Sequence, residues 1–206
     1  MSHSPEHQMS EHQLQEASHL SGIAKRLFKY IEFDDDEMMI REVRKHPIGL
    51  LFTWITGIFV LFVIMGITFF LSSQVKNVDS VNDSNGAIQT IILFVGLVLS
   101  LLSVVATAIS AWLYTSNVLY VTSEKIAEVR YLSIFNRRVT QLNIGKVEDL
   151  TVNQRGILPR IFNYGNILIE TAGETTNPDF TYVPMPNDVS KSILQAHENY
   201  VEKYGN

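Results

Sequence analysis

Two stretches of the chain contain no charged residue: residues 48–71 (IGLLFTWITGIFVLFVIMGITFFL) and 87–114 (AIQTIILFVGLVLSLLSVVATAISAWLY). A helix needs about 20 predominantly apolar residues to cross the hydrocarbon of a bilayer, and both stretches reach that length. Neither keeps the polar stripe by which a core helix of a soluble bundle meets water. The pattern therefore predicts a two-helix transmembrane hairpin, 48–71 and 87–114, joined by a short loop, 72–86, rich in Asn, Asp and Ser. The first stretch begins too far from Met1, and is too long, for a cleaved signal peptide.

After residue 116 the period changes to two. Strands are predicted at 117–122 (NVLYVT), 125–132 (KIAEVRYL), 138–144 (RVTQLNI), 146–154 (KVEDLTVNQ), 166–171 (NILIET) and 179–183 (DFTYV), separated by turn-forming residues. Leu142, Ile144, Leu150 and Val152 are the inward, core-forming positions of this pattern. Residues 187–204 then place Val189, Ile193, Ala196, Tyr200, Val201 and Tyr204 at helical intervals, with Asn187 or Asp188 as N-cap after Pro186. Short strands closed by one C-terminal helix predict an antiparallel barrel or sandwich over residues 117–206.

The passage RGILPRIFNYG, between the fourth and fifth of these strands, is apolar where neither helix nor strand runs regularly. Two arrangements suit it. Its apolar side chains can turn inward as a helical turn capping the barrel, with Gly165 supplying the backbone freedom to re-enter the sheet. They can instead face outward toward lipid headgroups or a partner protein, with Arg155 and Arg160 beside them. A mixture is expected: Ile161 and Phe162 in the barrel core, and Arg155, Ile157, Leu158 and Arg160 on the membrane- or partner-facing surface.

The N-terminal part is less regular. Residues 1–19, rich in His, Gln, Ser and Glu, predict a disordered tail. Residues 20–47 form an amphipathic, juxtamembrane segment: 20–31 (LSGIAKRLFKYI) has helical amphipathic spacing with a basic polar face, suited to the inner membrane surface or to the barrel. The run DDDE at 34–37 reads as a solvated acidic turn, because it lacks the glycine and the further oxygens of a calcium loop. Residues 38–46 (MMIREVRKH) fit a strand and a helix about equally.

Charge sets orientation and excludes some partners. The chain carries 16 Lys and Arg against 21 Asp and Glu, a net charge of -5. No region has the basic footprint of a nucleic-acid binder. Six of the cations precede the first apolar stretch, nine follow the second, and only Lys76 lies between them. The positive-inside rule places both termini in the cytoplasm. The absence of cysteine excludes disulfides and thiol catalysis.

Within the second apolar stretch Gly96, Ser100, Ser103, Thr107 and Ser110 are small and let another helix approach, either the first span or a second copy of the chain. Neither stretch holds Asp, Glu, Lys, Arg or His, which argues against a proton or ion pathway made by this chain alone. Catalysis finds little support. His197 is the one histidine after the second apolar stretch, Ser190 and Glu198 are not spaced to serve it as nucleophile and orienting carboxylate, and no phosphate loop or zinc-ligand cluster is visible. His3 and His7, on a flexible terminus, do not make a metal site. No enzyme activity, cofactor or metal is expected.

Three linked passages, LYVTSEKIAEVR, VTQLNIGKVEDLTVNQRGILPRIFNYGNILIETAG and YVPMPND, resemble the bacterial PH-like domain of small two-span membrane proteins, and EVRKHPIGLL resembles the way such proteins enter their first span. The resemblance covers roughly residues 36–206. It implies a pleckstrin-homology fold, a bent antiparallel barrel of about seven strands plugged at one end by the C-terminal α-helix, in a bacterial inner membrane. Phosphoinositide binding, familiar in eukaryotic PH domains, is not expected: the hairpin TSEKIAEVR offers Lys125 and Arg130 but interleaves Glu124 and Glu128. The expected function is that of a membrane-anchored, non-enzymatic interaction or scaffold module. Its partners are the lipid bilayer and a membrane or cytoplasmic protein, another copy of itself included. The alternative is an accessory subunit of a membrane transport or channel assembly.

Overall fold

The structure, a computed structural model, describes residues 37–76, 84–171 and 178–205. The tail at 1–19, the amphipathic stretch at 20–31, Asp34–Asp36 of the acidic run and residues 77–83 of the 72–86 loop lie outside the described residues. In chain order the elements are β1 (Met39–Arg44), α1 (Pro47–Lys76), α2 (Ser84–Thr115), β2 (Val118–Thr122), β3 (Lys125–Tyr131), β4 (Arg137–Asn143), a 3-10 turn (Ile144–Lys146), β5 (Val147–Asn153), α3 (Ile157–Ile161), β6 (Tyr164–Thr171), β7 (Asp179–Pro184) and α4 (Pro186–Tyr204). They form two compact units: Pro47–Tyr114, and the residues on either side, up to His46 and from Thr115 onward.

The helical unit holds the two predicted apolar helices, each slightly longer than the uncharged stretch that signalled it. Their apolar segments, Pro47–Val75 and Gly86–Thr115, are 29 and 30 residues long. At 1.5 Å per residue each spans about 44 Å, more than the ~30 Å of bilayer hydrocarbon. Only 11% and 6% of their most apolar windows are buried within this chain. They pack on each other through small residues: a Cβ at Gly57 would overlap Thr107, and one at Gly96 would overlap Thr68. Each threonine hydroxyl bonds a carbonyl of its own helix, Thr68 to Ile64 at 2.8 Å and Thr107 to Ser103 at 2.8 Å, so both are satisfied without a polar partner across the seam. Ser100 and Ser103 are half-buried along the same seam. Ser110 is exposed, its hydroxyl donating to the Ala106 carbonyl.

The barrel unit consists of two antiparallel sheets, β1-β2-β3-β4 and β5-β6-β7. No ladder joins β1 to β7 or β4 to β5, so the barrel is not continuously hydrogen-bonded. The sheet also begins earlier than Asn117. Residues 39–44, ambiguous by pattern, pair with β2 from Met39↔Thr122 to Arg44↔Val118. Only Val43 of this edge strand is buried, which is why its alternation was faint. The whole helical hairpin is thus inserted into the connection between two adjacent strands.

The core between the sheets contains Val43, Leu119, Val121, Ile126, Leu142, Ile144, Val147, Ile167, Ile169, Phe180 and Val183, with Val189, Ile193 and Ala196 of α4 laid across it. Of the predicted core positions Leu142 and Ile144 are buried, and Leu150 and Val152 pack partly buried against the cluster. Helix α4 starts at Pro186, the preceding Met185 adopting a left-handed conformation (φ 44°) with no side-chain cap, so neither Asn187 nor Asp188 caps it. Pro186 suits the first turn because its missing N–H would have had no helical partner. Glu37, expected in a solvated turn, is buried: its carboxylate pairs with Lys125 Nζ at 2.9 Å and accepts a hydrogen bond from Thr122 Oγ1.

Candidate functional site

The β5–β6 connection is built by two local backbone devices. Gly156 takes φ 105°, open to glycine and strained for other residues, and turns the chain out of β5 into α3. Asn163, at φ 50°, turns it back into β6, and its carbonyl accepts from Met185 N at 2.8 Å. Gly165 has a different role from the one expected of it. A Cβ there would crowd the Asn153 carbonyl and the Gln154 side chain, so its smallness permits close packing.

The apolar residues of this connection point outward. Ile157 is 77% exposed, Leu158 is exposed beside it, and Arg155 and Arg160 are exposed as well. Ile161 and Phe162, expected in the core, are 67% and 46% exposed. The space they would have plugged is already filled: Ile167, Ile169 and Phe180 occupy the interior, and Ile193 of α4 lies over it fully buried. A helix of five residues cannot displace one of 19 that brings three apolar side chains to the same place.

Beside this connection His46, Tyr164 and Tyr182 stack in series, with ring centroids 5.3 and 5.6 Å apart. The His46 N–H donates to the Tyr182 carbonyl at 2.6 Å. Burial pulls the His46 imidazole below its ordinary pKa, partly offset by a hydrogen bond with the Phe162 backbone.

Polar contacts cross the unpaired seam between the sheets. Arg130 Nη2 lies 2.7 Å from Glu128 Oε1 and donates to the Asp179 carbonyl at 2.9 Å, and Lys45 Nζ donates to Thr181 Oγ1 at 3.4 Å. Burial raises the Glu128 carboxyl above its usual range, against the lowering effect of Arg130. Burial also lowers Lys45, helped by the Arg130 charge. Lys45, Glu128 and Thr181 border a cavity of about 20 Å³, water-sized. Lys125 and Arg130, the two cations of the first barrel hairpin, are therefore each paired to a carboxylate, Glu37 and Glu128 respectively.

Two further features escaped the sequence reading. The β3–β4 tip exposes Leu132, Ile134 and Phe135, the last at 97%, followed by exposed Arg137 and Arg138. The signal was present in LSIFNRR, an apolar-plus-arginine passage in a turn, of the same composition as GILPRIF. A groove of about 240 Å³ also opens between the start of β1 and the end of α4, lined by Met38, Ile40, Glu124, Tyr200 and Tyr204 among others. Its existence depends on β1, which the pattern left ambiguous.

His197 Nδ1 faces the Ile144 carbonyl at 2.8 Å, and Ser190, earlier on the same helix, is buried. Among the described residues no three His, Asp or Glu side chains group closely enough to hold a metal ion.

A four-stranded and a three-stranded antiparallel sheet, with a C-terminal helix laid over their shared core, define a PH-like domain, here carrying an apolar helical hairpin within its first sheet. The chain belongs to the bacterial PH domain family, whose sequence profile matches residues 50–197, from within α1 to near the end of α4. A solved structure similar to it is that of a DUF1696 family protein with a pleckstrin-homology domain from Shewanella loihica PV-4. The two share 8% identity over 39% of this chain and 70% of that one, with a TM-score of 0.33. No curated protein matches the chain.

Proposed function

We propose that this protein is a membrane-anchored, non-enzymatic interaction module, whose helical hairpin spans a bacterial inner membrane and holds the PH-like barrel at its cytoplasmic face to bind a protein or another copy of the chain. The observation that carries this reading is the insertion of two long, outwardly apolar helices between β1 and β2. Phe69 of α1 and Leu97 of α2 project from faces too large and too apolar to stand in water, and lipid is the solvent that suits them. Because both helices leave from one sheet, the barrel is held to the membrane by two covalent links. Pairing of Lys125 with Glu37 and of Arg130 with Glu128 supports a protein rather than an inositol phosphate as the barrel's ligand.

The test places a photoreactive residue at Met38 or Tyr204, on the groove, and irradiates native membranes. A protein adduct supports the module, and a polytopic membrane protein in that adduct favours the accessory-subunit alternative. Absence of any protein adduct from either position refutes protein binding at this face. Recovery of the full chain in the soluble fraction after alkaline extraction refutes the anchor.

A further inference from the structure

We propose that the β3–β4 tip and the β5–β6 connection are two interfacial prongs that seat in the headgroup layer of an anionic bilayer, one beside each point where the chain passes between barrel and helical hairpin. The inference rests on the reading that α1 and α2 cross a membrane.

The first prong is the tip at 132–138 (LSIFNRR). Its turn is closed by its own backbone, Leu132 N and Ser133 N both donating to the Asn136 carbonyl at 2.9 and 3.1 Å, so Phe135 is held out by a formed structure. Tyr131 N donates to Asn117 Oδ1 at 2.8 Å, which sets the base of the tip beside the chain returning from α2. The second prong is 155–163 (RGILPRIFN). It lies against His46, whose ring stacks on Tyr164 and bonds the Phe162 backbone, and His46 immediately precedes Pro47 of α1. Two residues separate β1 from α1 and two separate α2 from β2. At about 3.3–3.6 Å per residue, links this short keep the barrel ends within roughly 10 Å of the helix ends. On this proposal a segment that projects beside these junctions is within reach of the surface of the membrane that the helices enter.

Charge selects lipid as the occupant. Neither prong contains an acidic residue, and together they carry Arg137, Arg138, Arg155 and Arg160 among their apolar side chains. The acids of the strands that lead into the prongs lie outside the prongs: Glu124 just before β3, Glu128 at the middle of β3 where Arg130 pairs with it, and Glu148 and Asp149 at the start of β5. Apolar side chains that enter the acyl boundary, with guanidinium groups at phosphate depth, suit an anionic leaflet. A protein partner of ordinary mixed charge gives no reason for the acids to be excluded from both segments.

The absence of cysteine makes the test direct. Four single-cysteine variants of the full chain, Phe135→Cys, Ile157→Cys, Glu148→Cys and Phe59→Cys, carry an environment-sensitive fluorophore. They are reconstituted in phosphatidylcholine–phosphatidylglycerol vesicles that bear a nitroxide either near the headgroup or near the acyl end. Expected are blue-shifted emission and quenching by the shallow nitroxide at 135 and 157, neither at 148, and quenching by the deep nitroxide at 59. Water-like, unquenched emission at 135 and 157 with normal deep quenching at 59 overturns the prongs and leaves the anchor standing. Loss of quenching at 59 as well overturns the anchor and the prongs with it. Blue-shifted emission at 135 or 157 without lipid quenching means that protein covers that prong, and also overturns the proposal. Shallow quenching that is undiminished when phosphatidylglycerol is omitted overturns the role given to the arginines.

Discussion

The competition for the barrel's interior can be tested by making one chemical change at two isoleucines. Ile193, on α4, is fully buried, whereas Ile161, on α3, is 67% exposed. Ile→Ala removes three carbons, worth about 2.4 kcal/mol of transfer free energy at ~0.8 kcal/mol each when fully buried. At position 193 the cavity left among Ile167, Ile169 and Phe180 adds to this, giving a loss of about 3–4 kcal/mol. At position 161 only the buried third of the side chain is affected, so the loss is about 0.8 kcal/mol. For a barrel of this size 1 kcal/mol moves the melting temperature by about 4–8 °C. Ile193→Ala is then expected to lower it by roughly 12–30 °C, and Ile161→Ala by about 3–6 °C. The assay is thermal-challenge proteolysis of the full chain in detergent, following cleavage within 118–204 so that the helical hairpin does not mask the barrel. Equal destabilisation by the two variants would falsify the assignment of α4, and not α3, as the cover of the core.

Three other outcomes follow from particular contacts. Lys125→Met leaves the fully buried Glu37 side chain without its cation and is expected to cost about 3–5 kcal/mol, whereas the double variant Glu37→Gln, Lys125→Met recovers most of it; urea midpoints that fail to recover break the pairing argument. The folded-state pKa of Glu128 is raised above the ordinary 4.5, so the native barrel holds this proton more tightly than the unfolded chain does, and stability drops as pH rises through that folded value. Melting curves from pH 4 upward should therefore fall more steeply for the native protein than for Glu128→Gln, and parallel curves would contradict the burial of this carboxyl. Gly96→Leu is expected to part the helices and abolish bis-maleimide cross-linking between Ser72→Cys and Gln89→Cys, positions hydrogen-bonded at 3.1 Å, while Gly66→Leu, with open space around its Cβ, leaves the cross-link intact.

The two apolar helices were legible because transfer of a segment from water to hydrocarbon depends on the residues of that segment alone, and the signal in 48–71 and 87–114 has no competitor. Strands β2 to β7 were legible for a similar reason: each is marked by its own residues, β2 by a short run of β-branched, aromatic and aliphatic side chains that is buried throughout, and β6 by alternation. The apolar character and position of GILPRIF could be read directly. Its direction could not, because burial of Ile161 and Phe162 depends on what else claims the same volume, and Ile193, far along the chain, claims it first. The first strand escaped because an edge strand with one buried residue, Val43, has no alternation to read, and its place comes from pairing with β2 across the inserted helices. Glu37 looked like one more acid in an acidic run until tertiary contact set Lys125 against it. Composition and period thus determined which segments are apolar and which are extended. Only the folded chain decided which of them reach the interior first, because exclusion from a filled core is a property of the assembled volume and is written in no single segment.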